Sequence, residues 1–592
     1  MKLLQRFGEA PVWVAGASPL AGRVFDSLRR AGRRVRAVAL TELTDLKSGA
    51  CRTLVLADPP EPESLVAGLI HRLGSSRGRG RRPAPLRLIL MVQADPPPPL
   101  PELDPAGPIT LETFAIEDRA ARVLLERWPL HCGLDPCFDQ RPHLLVVGFA
   151  PPARALVVQA LRLMPYGEER PAITIIGTDP AIQARFAGAY PQAGQVADLR
   201  WIAADLGGPA ALPPVTQVLV CAAASAAGPD DAIALAQWFA GRLAADQGVS
   251  PPILLEVGDA IPDGSLADWD GQTFPFSYLD EACRPQVLLD GRGDALAQTI
   301  HEHYTDSIAA QGRDPEREPA GRPWPALTAS YRDANRHQAD HIWAKLAVMD
   351  CRAVHEERGG SFAFAPLEAE RLAVIEHLRW AADRHLDGWS YAPVRDNARK
   401  HHPQLIPYRD LSEPMKDLDR FAVRGVPTLL ARSELGVVRM LILGIPEPHT
   451  ALPADAVAAG LQRLAEQVLD RLAARYPDRT LVFAATLAEP GARLITRLAL
   501  DRAAAGLFLL CPQPIAHTLA AQPDDAARRE LLELMARAER RISLPAPGEL
   551  TRWFARRADI QLVVGSGPLE NAGAKRVLLD PVERRVDWNF DY

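Results

Sequence analysis

Short apolar runs alternate with helical patterns along most of this 592-residue chain, and the alternation restricts the fold more than any other feature. At the start, strand-like runs occupy 11–15, 35–40, 53–57 and 86–92, and a helical stretch separates the first two. Strands that alternate with helices at this spacing predict βαβ units and a parallel sheet. We therefore expect a doubly wound α/β domain, Rossmann-like in type, over residues 1–140.

A second series of strands and helices follows the first. Its strands are predicted at 144–148, 172–176, 199–203, 217–222 and 253–257. A helix is predicted at 154–164, directly after the first of these strands. The chain should therefore contain two doubly wound, Rossmann-like domains in tandem, the second over residues 141–310.

The rest of the chain starts with a polar stretch rich in Pro and Gly, from about 306 to 325, which indicates a linker. Helices are predicted next at 331–349 and 367–386. A final α/β region has strands predicted at 437–443, 481–484, 507–510, 560–564 and 576–579, and a helix at 455–476. We expect a linker helix and a small, mainly helical domain over 311–430, and a C-terminal Rossmann-like α/β domain over 436–592.

Composition and charge exclude several classes of protein. The hydrophobic content of 47% and charged content of 24% match an ordinary soluble protein. The net charge of −6 argues against a nucleic-acid partner, because phosphate binding needs a basic field. No run approaches the roughly 20 apolar residues of a membrane span, and the seven scattered cysteines are typical of a reducing compartment. We expect a cytoplasmic, bacterial protein without direct membrane insertion.

Each of the first two domains has a loop where a dinucleotide could bind. A dinucleotide fingerprint needs glycine at a sharp turn, glycine near the pyrophosphate and a small residue for helix packing. These places hold Gly16, Ser18 and Ala21 in the first domain and Gly148, Ala150 and Ala153 in the second. Asp179 ends the second strand of the second domain, where an acid would bind a ribose hydroxyl. Pro151 and Pro152 count against this loop, because proline offers no N–H to a phosphate.

Both domains resemble the NAD-binding domains of bacterial potassium-uptake (Trk-type) regulators, a Rossmann family that senses NAD or adenine nucleotides. The resemblance implies NAD or another adenine nucleotide as cofactor. It would be bound by Gly16 and Ser18 in the first domain and by Gly148, Ala150 and Asp179 in the second. The alternative is a pair of scaffolds whose ligand sites have decayed, and the sequence leaves this choice open.

The densest pattern in the chain lies between 370 and 421. Its segments are Glu376-His377-Leu378-Arg379-Trp380, Gly388-Trp389-Ser390-Tyr391, Arg395-Asp396, Lys400-His401-His402-Pro403 and Leu405-Ile406-Pro407-Tyr408. An aromatic platform beside cations suits an adenine nucleotide, whose base can stack and whose phosphates accept charge-assisted hydrogen bonds. The alternative is a small aromatic core with cations on its surface. We interpret Trp380 as core and Trp389, Tyr391, Arg395 and Lys400 as a pocket.

The same segment resembles the ryanodine-receptor-type repeat (RyR domain) almost position for position. The resemblance implies a small domain that recognises a ligand and does not catalyse a reaction. The ligand-binding residues that it implies are Trp380, Trp389, Tyr391, Arg395, Asp396, Lys400, His402 and Tyr408.

The C-terminal region resembles the SLOG superfamily, whose Rossmann-like members process or sense nucleotides. The matching segments are Gly444-Ile445-Pro446, 486–493, Leu510-Cys511-Pro512-Gln513-Pro514 and Ala558-Asp559-Ile560. The usual Gly-Gly-Thr phosphate loop should follow the strand at 560–564. Here the chain reads Gly565-Ser566-Gly567-Pro568 and soon reaches the next strand. The shortening removes a helix N-terminus that would hold a phosphate, and it favours a degenerate site or a domain for packing and oligomerisation.

Catalytic and metal-binding motifs are weak throughout the sequence. His337 and His341 have metal-ligand spacing, but Gln338 stands where a zinc protease has its general base. We expect a non-catalytic, metal-free sensor or effector that forms a homo-oligomer. Its partner would be a nucleotide-derived ligand such as NAD, ADP-ribose, ATP or a second messenger, in bacterial stress or anti-phage defence. The alternatives are a SLOG-type enzyme acting on a nucleotide or NAD-like substrate, and a regulatory subunit of a potassium channel or transporter.

Overall fold

The chain folds into three β-sheets with helices packed against them and a small helical module that contains a two-stranded sheet. The computed structural model describes residues 11–16, 18–46, 51–75, 86–93, 107, 109–137, 140–202, 212–221, 229–258, 271–289, 292–310, 312–355, 361–446, 454–502, 505–565 and 574–590. The predicted α/β class with parallel sheets is confirmed.

The first sheet has five parallel strands in the order β2-β1-β3-β4-β5. They are β1 (Val12–Ala15), β2 (Val35–Val38), β3 (Thr53–Ala57), β4 (Leu86–Val92) and β5 (Ile109–Ala115). The helices of this region are α1 (Pro19–Arg30), α2 (Pro62–Ser75) and α3 (Ile116–Arg127). Apolar side chains cover both faces of the sheet, as in other parallel sheets that lie between helices. The sequence patterns do not predict β5 or α3.

The second sheet has six parallel strands in the order β11-β10-β9-β6-β7-β8. They are β6 (His143–Val147), β7 (Ala172–Ile176), β8 (Asp198–Ile202), β9 (Gln217–Cys221), β10 (Ile253–Glu256) and β11 (Thr273–Phe276). The helices are α4 (Pro151–Leu163), α5 (Pro180–Ala189), α6 (Pro229–Gln247), α7 (Tyr278–Ala282), α8 (Pro285–Leu288) and α9 (Arg292–Ala310). Numbered along the chain, this is the doubly wound order 3-2-1-4-5-6, whose switch point lies between β6 and β9.

The segment that leads to the helical module, and then the module itself, follow α9. Their elements are α10 (Ala329–Asp340), α11 (Ile342–Val348), β12 (Cys351–His355), α12 (Pro366–Leu386), β13 (Ser390–Tyr391), β14 (His401–His402), α13 (Glu413–Arg424) and α14 (Val426–Ala431). Short 3-10 helices occur at Leu40–Asp45, Ala193–Gln195, Pro315–Arg317, Pro319–Gly321, Trp324–Ala326 and Tyr408–Asp410. Three of these lie in or directly after the stretch predicted as a linker. The helix predicted at 331–349 is two helices, which meet at His341.

The third sheet has a parallel centre in the order β18-β17-β16-β15-β19-β20, with β21 antiparallel to β20. Its strands are β15 (Leu435–Ile445), β16 (Arg479–Ala485), β17 (Gly506–Cys511), β18 (Arg540–Ser543), β19 (Ile560–Val564), β20 (Arg576–Asp580) and β21 (Arg585–Trp588). The helices are α15 (Ala454–Arg475), α16 (Pro490–Asp501), α17 (Ile515–Ala520), α18 (Asp525–Ala536) and α19 (Glu549–Arg557). Within the described segments, none of the helices has both the length and the apolar character needed to cross a bilayer.

The helical module is inserted into the third sheet. β12 pairs antiparallel with β15, and His355 lies opposite Leu435 in the register. The chain therefore leaves this sheet after β12, forms α12 to α14, and returns to the neighbouring strand. The predicted start of the C-terminal domain at 436 leaves out β12, which the sequence patterns do not predict.

Helix α4 connects the first sheet, the second sheet and the helical module. Its apolar side chains belong to one core cluster that continues into α12 and α13. Asp340 at the end of α10 accepts hydrogen bonds from Gln159 on α4, at 3.0 Å, and from Arg122 on α3, at 2.8 Å. The three helices thus share one partly buried carboxylate.

A buried carboxylate joins the third sheet to the segment between the first two sheets. Asp135 is fully buried and accepts hydrogen bonds from Arg557, at 2.8 Å, and from the Trp553 indole, at 2.9 Å. Arg557 also donates to both oxygens of Asp350, each at 2.6 Å. Burial alone would raise the pKa of Asp135, but Arg557 and Arg540 lower it, so the group is a carboxylate. We call this group the Asp135 clasp.

Candidate functional site

Helix α12 and the turn after it position the aromatic residues of the helical module. Pro366 begins the helix, and the Glu368 carboxylate accepts a hydrogen bond from the backbone N–H of Ala365 at 2.8 Å. Gly388 ends it with φ of +80°, a left-handed conformation that favours glycine. Trp389 therefore turns back toward the helix that carries Trp380.

Five rings form the group that we call the aromatic cluster: His377, Trp380, Trp389, His402 and Tyr408. The His402 imidazole lies at its centre, with ring centroids 4.9 Å from Trp380 and 6.0 Å from Trp389. His377 stacks on Trp380 at 5.6 Å and meets Tyr408 edge-on at 6.0 Å. Trp389, His402 and Tyr408 are buried, whereas Trp380 is only half-buried and presents aromatic surface to solvent.

Hydrogen bonds hold three of these rings in place. The Trp389 indole N–H donates to Asp387 at 2.9 Å, and the Tyr408 hydroxyl donates to Glu370 at 3.1 Å. Nδ1 of His402 accepts a hydrogen bond from the backbone N–H two residues later, at 3.2 Å. Nε2 then carries the proton of the neutral imidazole, so His402 offers one N–H donor inside the cluster.

The aromatic cluster lies in a positive electrostatic field. Burial lowers the pKa of His402 to about 4, and the positive charges of Arg395, Arg384 and His377 add to this shift. The Arg384 guanidinium lies over the Trp389 ring at 5.7 Å. His402 is therefore neutral at pH 7, and the Arg395 and Arg384 guanidinium groups near it would attract an anion.

A surface cleft of about 650 Å³ lies in the loop between β13 and β14. It is lined by Ala392, Pro393, Val394, Arg395, Asp396, Asn397, Arg399 and His401. Nε of Arg395 donates to the Asn397 side chain at 2.9 Å, and Asp396 accepts the backbone N–H groups of residues 398 and 399. Asp396 thus shapes the loop, while Arg395, Arg399 and His401 supply its donors.

The predicted ligand-binding residues of this segment therefore divide into three sets. Trp380, Trp389, His402 and Tyr408 meet in the aromatic cluster, and Arg395 and Asp396 line the cleft. The Lys400 ammonium donates to the backbone carbonyl of Asp387 at 2.6 Å, and Tyr391 is exposed outside both. Trp389, interpreted from the sequence as a pocket residue, is buried, at 8% exposure, whereas Trp380, interpreted as core, is half-buried.

The comparison with known families bears on this segment. Residues 367–437, about an eighth of the chain, match the RyR domain. The predicted RyR resemblance is confirmed for these residues, which contain both the aromatic cluster and the cleft. The match includes the first three residues of β15 in the third sheet. The Trk-type and SLOG resemblances of the other domains remain predictions.

The predicted nucleotide residues of the first sheet contribute to packing. A Cβ atom at Gly16 would lie 2.6 Å from the backbone oxygen of Ala57 at the end of β3. The Ser18 hydroxyl donates to that same oxygen at 3.3 Å. Glycine is therefore required at residue 16 by the close approach of β3, whether or not a nucleotide binds.

The second sheet retains more of a nucleotide loop. Gly148 has φ of +79° and donates its N–H to Ile176 at 2.9 Å, and Ala150 is the N-cap of α4. Pro151 and Pro152 form the first turn of α4, which therefore lacks two N–H donors. The exposed Asp179 caps α5 by accepting the Ala181 N–H at 2.7 Å.

The third sheet places one predicted segment in a structural role. Arg493 is buried and donates to the backbone oxygens of Leu487 and Ala488, and to the side chains of Gln522 and Glu530. These bonds fix the turn after β16. The shortened phosphate loop lies mostly outside the described residues, since only Gly565 and the residues from 574 onward are described.

Several contributors to the site are not among the predicted ligand-binding residues. Arg384 lies four residues after Trp380, and His377 three before it, so all three share one face of α12. Arg399 and His401 sit in the loop already singled out through Arg395. The helical spacing could have identified the first two, whereas the closure of the loop depends on the pairing of β13 with β14.

The arrangement suits non-covalent recognition of a flat, anionic molecule. Aromatic faces can stack on a base, and guanidinium groups can bind phosphate or carboxylate oxygens in pairs. Among the described residues, no group of three or more His, Cys, Asp or Glu side chains could hold a metal ion.

Proposed function

We propose that this protein is a non-catalytic sensor or effector that binds a nucleotide-derived ligand through its RyR module. The observation that carries the proposal is the position of the aromatic cluster beside a cleft lined by Arg395, Arg399 and His401. The ligand class is NAD, ADP-ribose, ATP or a nucleotide second messenger. A role in bacterial stress or anti-phage defence, in the cytoplasm, is the setting that we infer from the combination of domains.

The two halves of the site would bind different parts of the ligand. The base would stack on Trp380, the half-buried ring of the cluster, and one base stacked on an aromatic ring contributes about 1–3 kcal/mol. The phosphates would accept charge-assisted hydrogen bonds from Arg395 and Arg399. His402, which is neutral at pH 7, would donate from Nε2 to the base or the ribose.

A second nucleotide site at the switch point of the second sheet is also proposed. It is supported by the 3-2-1-4-5-6 strand order and by the left-handed Gly148 at the end of β6. Pro151, Pro152 and the capping role of Asp179 weaken it. NAD or another adenine nucleotide is the cofactor that fits a Trk-type Rossmann domain.

The test is calorimetric titration of the full chain with NAD, ADP-ribose, ATP and cyclic nucleotides. We expect at least one to bind, and we expect Arg395→Ala and Trp380→Leu to weaken that ligand about 10-fold to 100-fold. This is the effect of losing a charge-assisted hydrogen bond or a stacked ring. The matched control is Arg409→Ala, an exposed arginine of the same module outside the cleft.

Two results would contradict the proposal. In the first, none of these nucleotides binds the wild-type chain. In the second, a nucleotide binds with the same affinity to wild type, Arg395→Ala and Trp380→Leu. If a nucleotide binds equally to these three chains but no longer binds a Gly148→Val variant, its site lies at the second sheet.

A further inference from the structure

Exposed apolar side chains concentrate in the RyR module. Five of the nine large apolar side chains that are exposed among the described residues lie within the matched segment 367–437. They are Leu367, Tyr391, Val394, Leu418 and Phe421. The segment is about an eighth of the chain, so this share marks the module as a contact surface.

Helix α13 carries two of these side chains on one face. Leu418 is 63% exposed and Phe421 is 54% exposed, and their spacing of three residues places them side by side. The opposite face is fixed to the module, where Val423 is buried and Asp419 lies 3.3 Å from the His377 imidazole. The helix is therefore held firmly. On its outer face the Phe421 ring stacks on the His303 ring of α9, with centroids 5.9 Å apart, and Phe421 still keeps 54% of its surface exposed.

Charges flank this apolar face in a regular order. Glu413 and Asp417 lie in the N-terminal half of α13, where both pair with Arg420, at 2.8 Å and 2.9 Å, and Arg424 ends the helix. Asp417 and Arg424 are seven residues apart, two helical turns, so they lie on the same flank. Both are exposed, and within the described part of the chain Arg424 has neither an ion pair nor a side-chain hydrogen bond. The acidic half and the basic end would therefore each face the opposite charge if a second copy of the helix lay antiparallel to the first.

We propose that the outer face of α13 binds the same face of a second copy of this chain, antiparallel about a two-fold axis. An axis midway between residues 419 and 420 places Leu418 of each copy against Phe421 of the other. In such a pair the charged flank of one copy faces the same flank of the other. Arg424 of each copy therefore lies between Glu413 and Asp417 of the other. A two-fold interface uses every contact twice.

The size of the apolar face sets the strength of the dimer. Four large apolar side chains in total, with two pairs of charged contacts, are fewer than an obligate dimer buries. The dimer is therefore reversible, and its population depends on protein concentration.

Sedimentation velocity of the full chain between 1 and 100 μM tests the proposal. We expect a concentration-dependent dimer, and we expect Leu418→Glu and Phe421→Glu each to raise its dissociation constant at least tenfold. The matched control is Val582→Glu, an equally exposed apolar residue, at 59%, in the turn between β20 and β21. It should leave the dimer unchanged. Should Leu418→Glu fail to fold by circular dichroism, Leu418→Gln replaces it.

A charge exchange tests the orientation of the pair. Asp417→Arg and Arg424→Asp should each weaken the dimer, because each places like charges together. Made in a Glu413→Gln chain, in which residues 417 and 424 are the remaining opposed pair, the double variant should restore the dimer, since that pair is again of opposite sign. A wild-type chain that stays monomeric at 100 μM, or a dimer that resists both apolar variants, overturns the proposal. Failure of the double variant to restore a dimer that the single variants weaken overturns the antiparallel arrangement.

Discussion

His402 has tryptophan rings on two sides and no carboxylate among the groups that shift its pKa. The charged groups that lower its pKa are cations, Arg395 and Arg384 among them. A protonated imidazole at this position would lose hydration and meet like charge. The folded state therefore keeps His402 neutral, which leaves the cations available to a ligand.

The pH dependence of stability follows from this shift. The pKa of His402 is lowered from 6.5 to about 4 in the folded chain, so the unfolded chain binds a proton first as pH falls. We expect the free energy of unfolding to decrease between about pH 6.5 and pH 4, by at most about 3 kcal/mol from this residue. The decrease should be absent above pH 7.

Urea unfolding of wild type and His402→Gln at several pH values measures this contribution. The difference between the two free energies should change between pH 7 and pH 4, since all other groups titrate in both chains. Parallel curves for the two chains would refute the assignment. Histidine NMR offers a direct check, because the Cε1–H resonance of His402 should titrate near pH 4.

Helix α12 has two functional faces. One carries His377, Trp380 and Arg384 into the aromatic cluster. The other carries Glu376, Arg379 and Asp383, which are buried and joined by ion pairs. Further ion pairs connect this second face to the helices before β12, through Lys345 to Glu376 at 2.7 Å and through His337 to Asp383 at 2.9 Å.

Removing one charge from this buried row should be costly. Arg379 and Lys345 overcome the effect of burial and lower the pKa of Glu376 to about 2, so it is ionised. We expect Glu376→Gln to lower the free energy of unfolding by about 3–5 kcal/mol, because it leaves Arg379 and Lys345 buried with too little compensating charge. Chemical denaturation measures the change.

The matched control for Glu376→Gln is an exposed ion pair elsewhere. Asp470 pairs with Arg502 at 2.6 Å on the surface of the C-terminal domain. Asp470→Asn should change the free energy of unfolding by only about 0–1 kcal/mol. Equal effects of the two substitutions would show that the buried row is not the stabilising feature that we infer.

The strands and helices that the sequence patterns do not predict have mostly polar patterns. Apolar strands such as β3, β4, β7 and β19 were predicted with their observed ends. β18 begins Arg540-Arg541, which resembles a solvated surface, yet both side chains are buried. Their guanidinium groups lie over Phe508 and Phe274, at 4.3 Å and 4.5 Å. Only the tertiary arrangement supplies those rings, so no local pattern could reveal the strand.

The candidate site was predictable to a similar degree. Its segment and six of its residues follow from the order of aromatic and cationic residues between 370 and 421. The role of Lys400 was not predictable, because its ammonium is drawn to the carbonyl oxygen exposed where α12 ends at Asp387. Burial of Trp389 likewise depends on the turn at Gly388, which folds it back on the helix.

At the scale of the whole molecule, the Asp135 clasp joins parts of the chain that are far apart in sequence. We expect Asp135→Asn to lower stability by about 3 kcal/mol or more, because Arg557 and Arg540 then share too little negative charge in a buried place. Hydrogen exchange should increase in 129–137 and in α19, on the two sides of the contact, and stay unchanged in β1 to β4.

An exposed ion pair of the C-terminal domain provides the comparison for the Asp135 clasp. Asp501 pairs with Arg537 at 2.7 Å on the surface. Asp501→Asn should leave hydrogen exchange at 129–137 unchanged. If Asp135→Asn affects exchange no more than Asp501→Asn, the clasp does not hold the domains together.

The insertion of the RyR module between β12 and β15 also bears on how the chain folds. These neighbouring strands are separated by about 80 residues, and closing a flexible loop of that length costs about 4 kcal/mol in chain entropy. A module that folds first holds its two ends together and removes most of that cost. Because the module leaves the ribosome before β15 does, we expect the third sheet to assemble on an already folded insert.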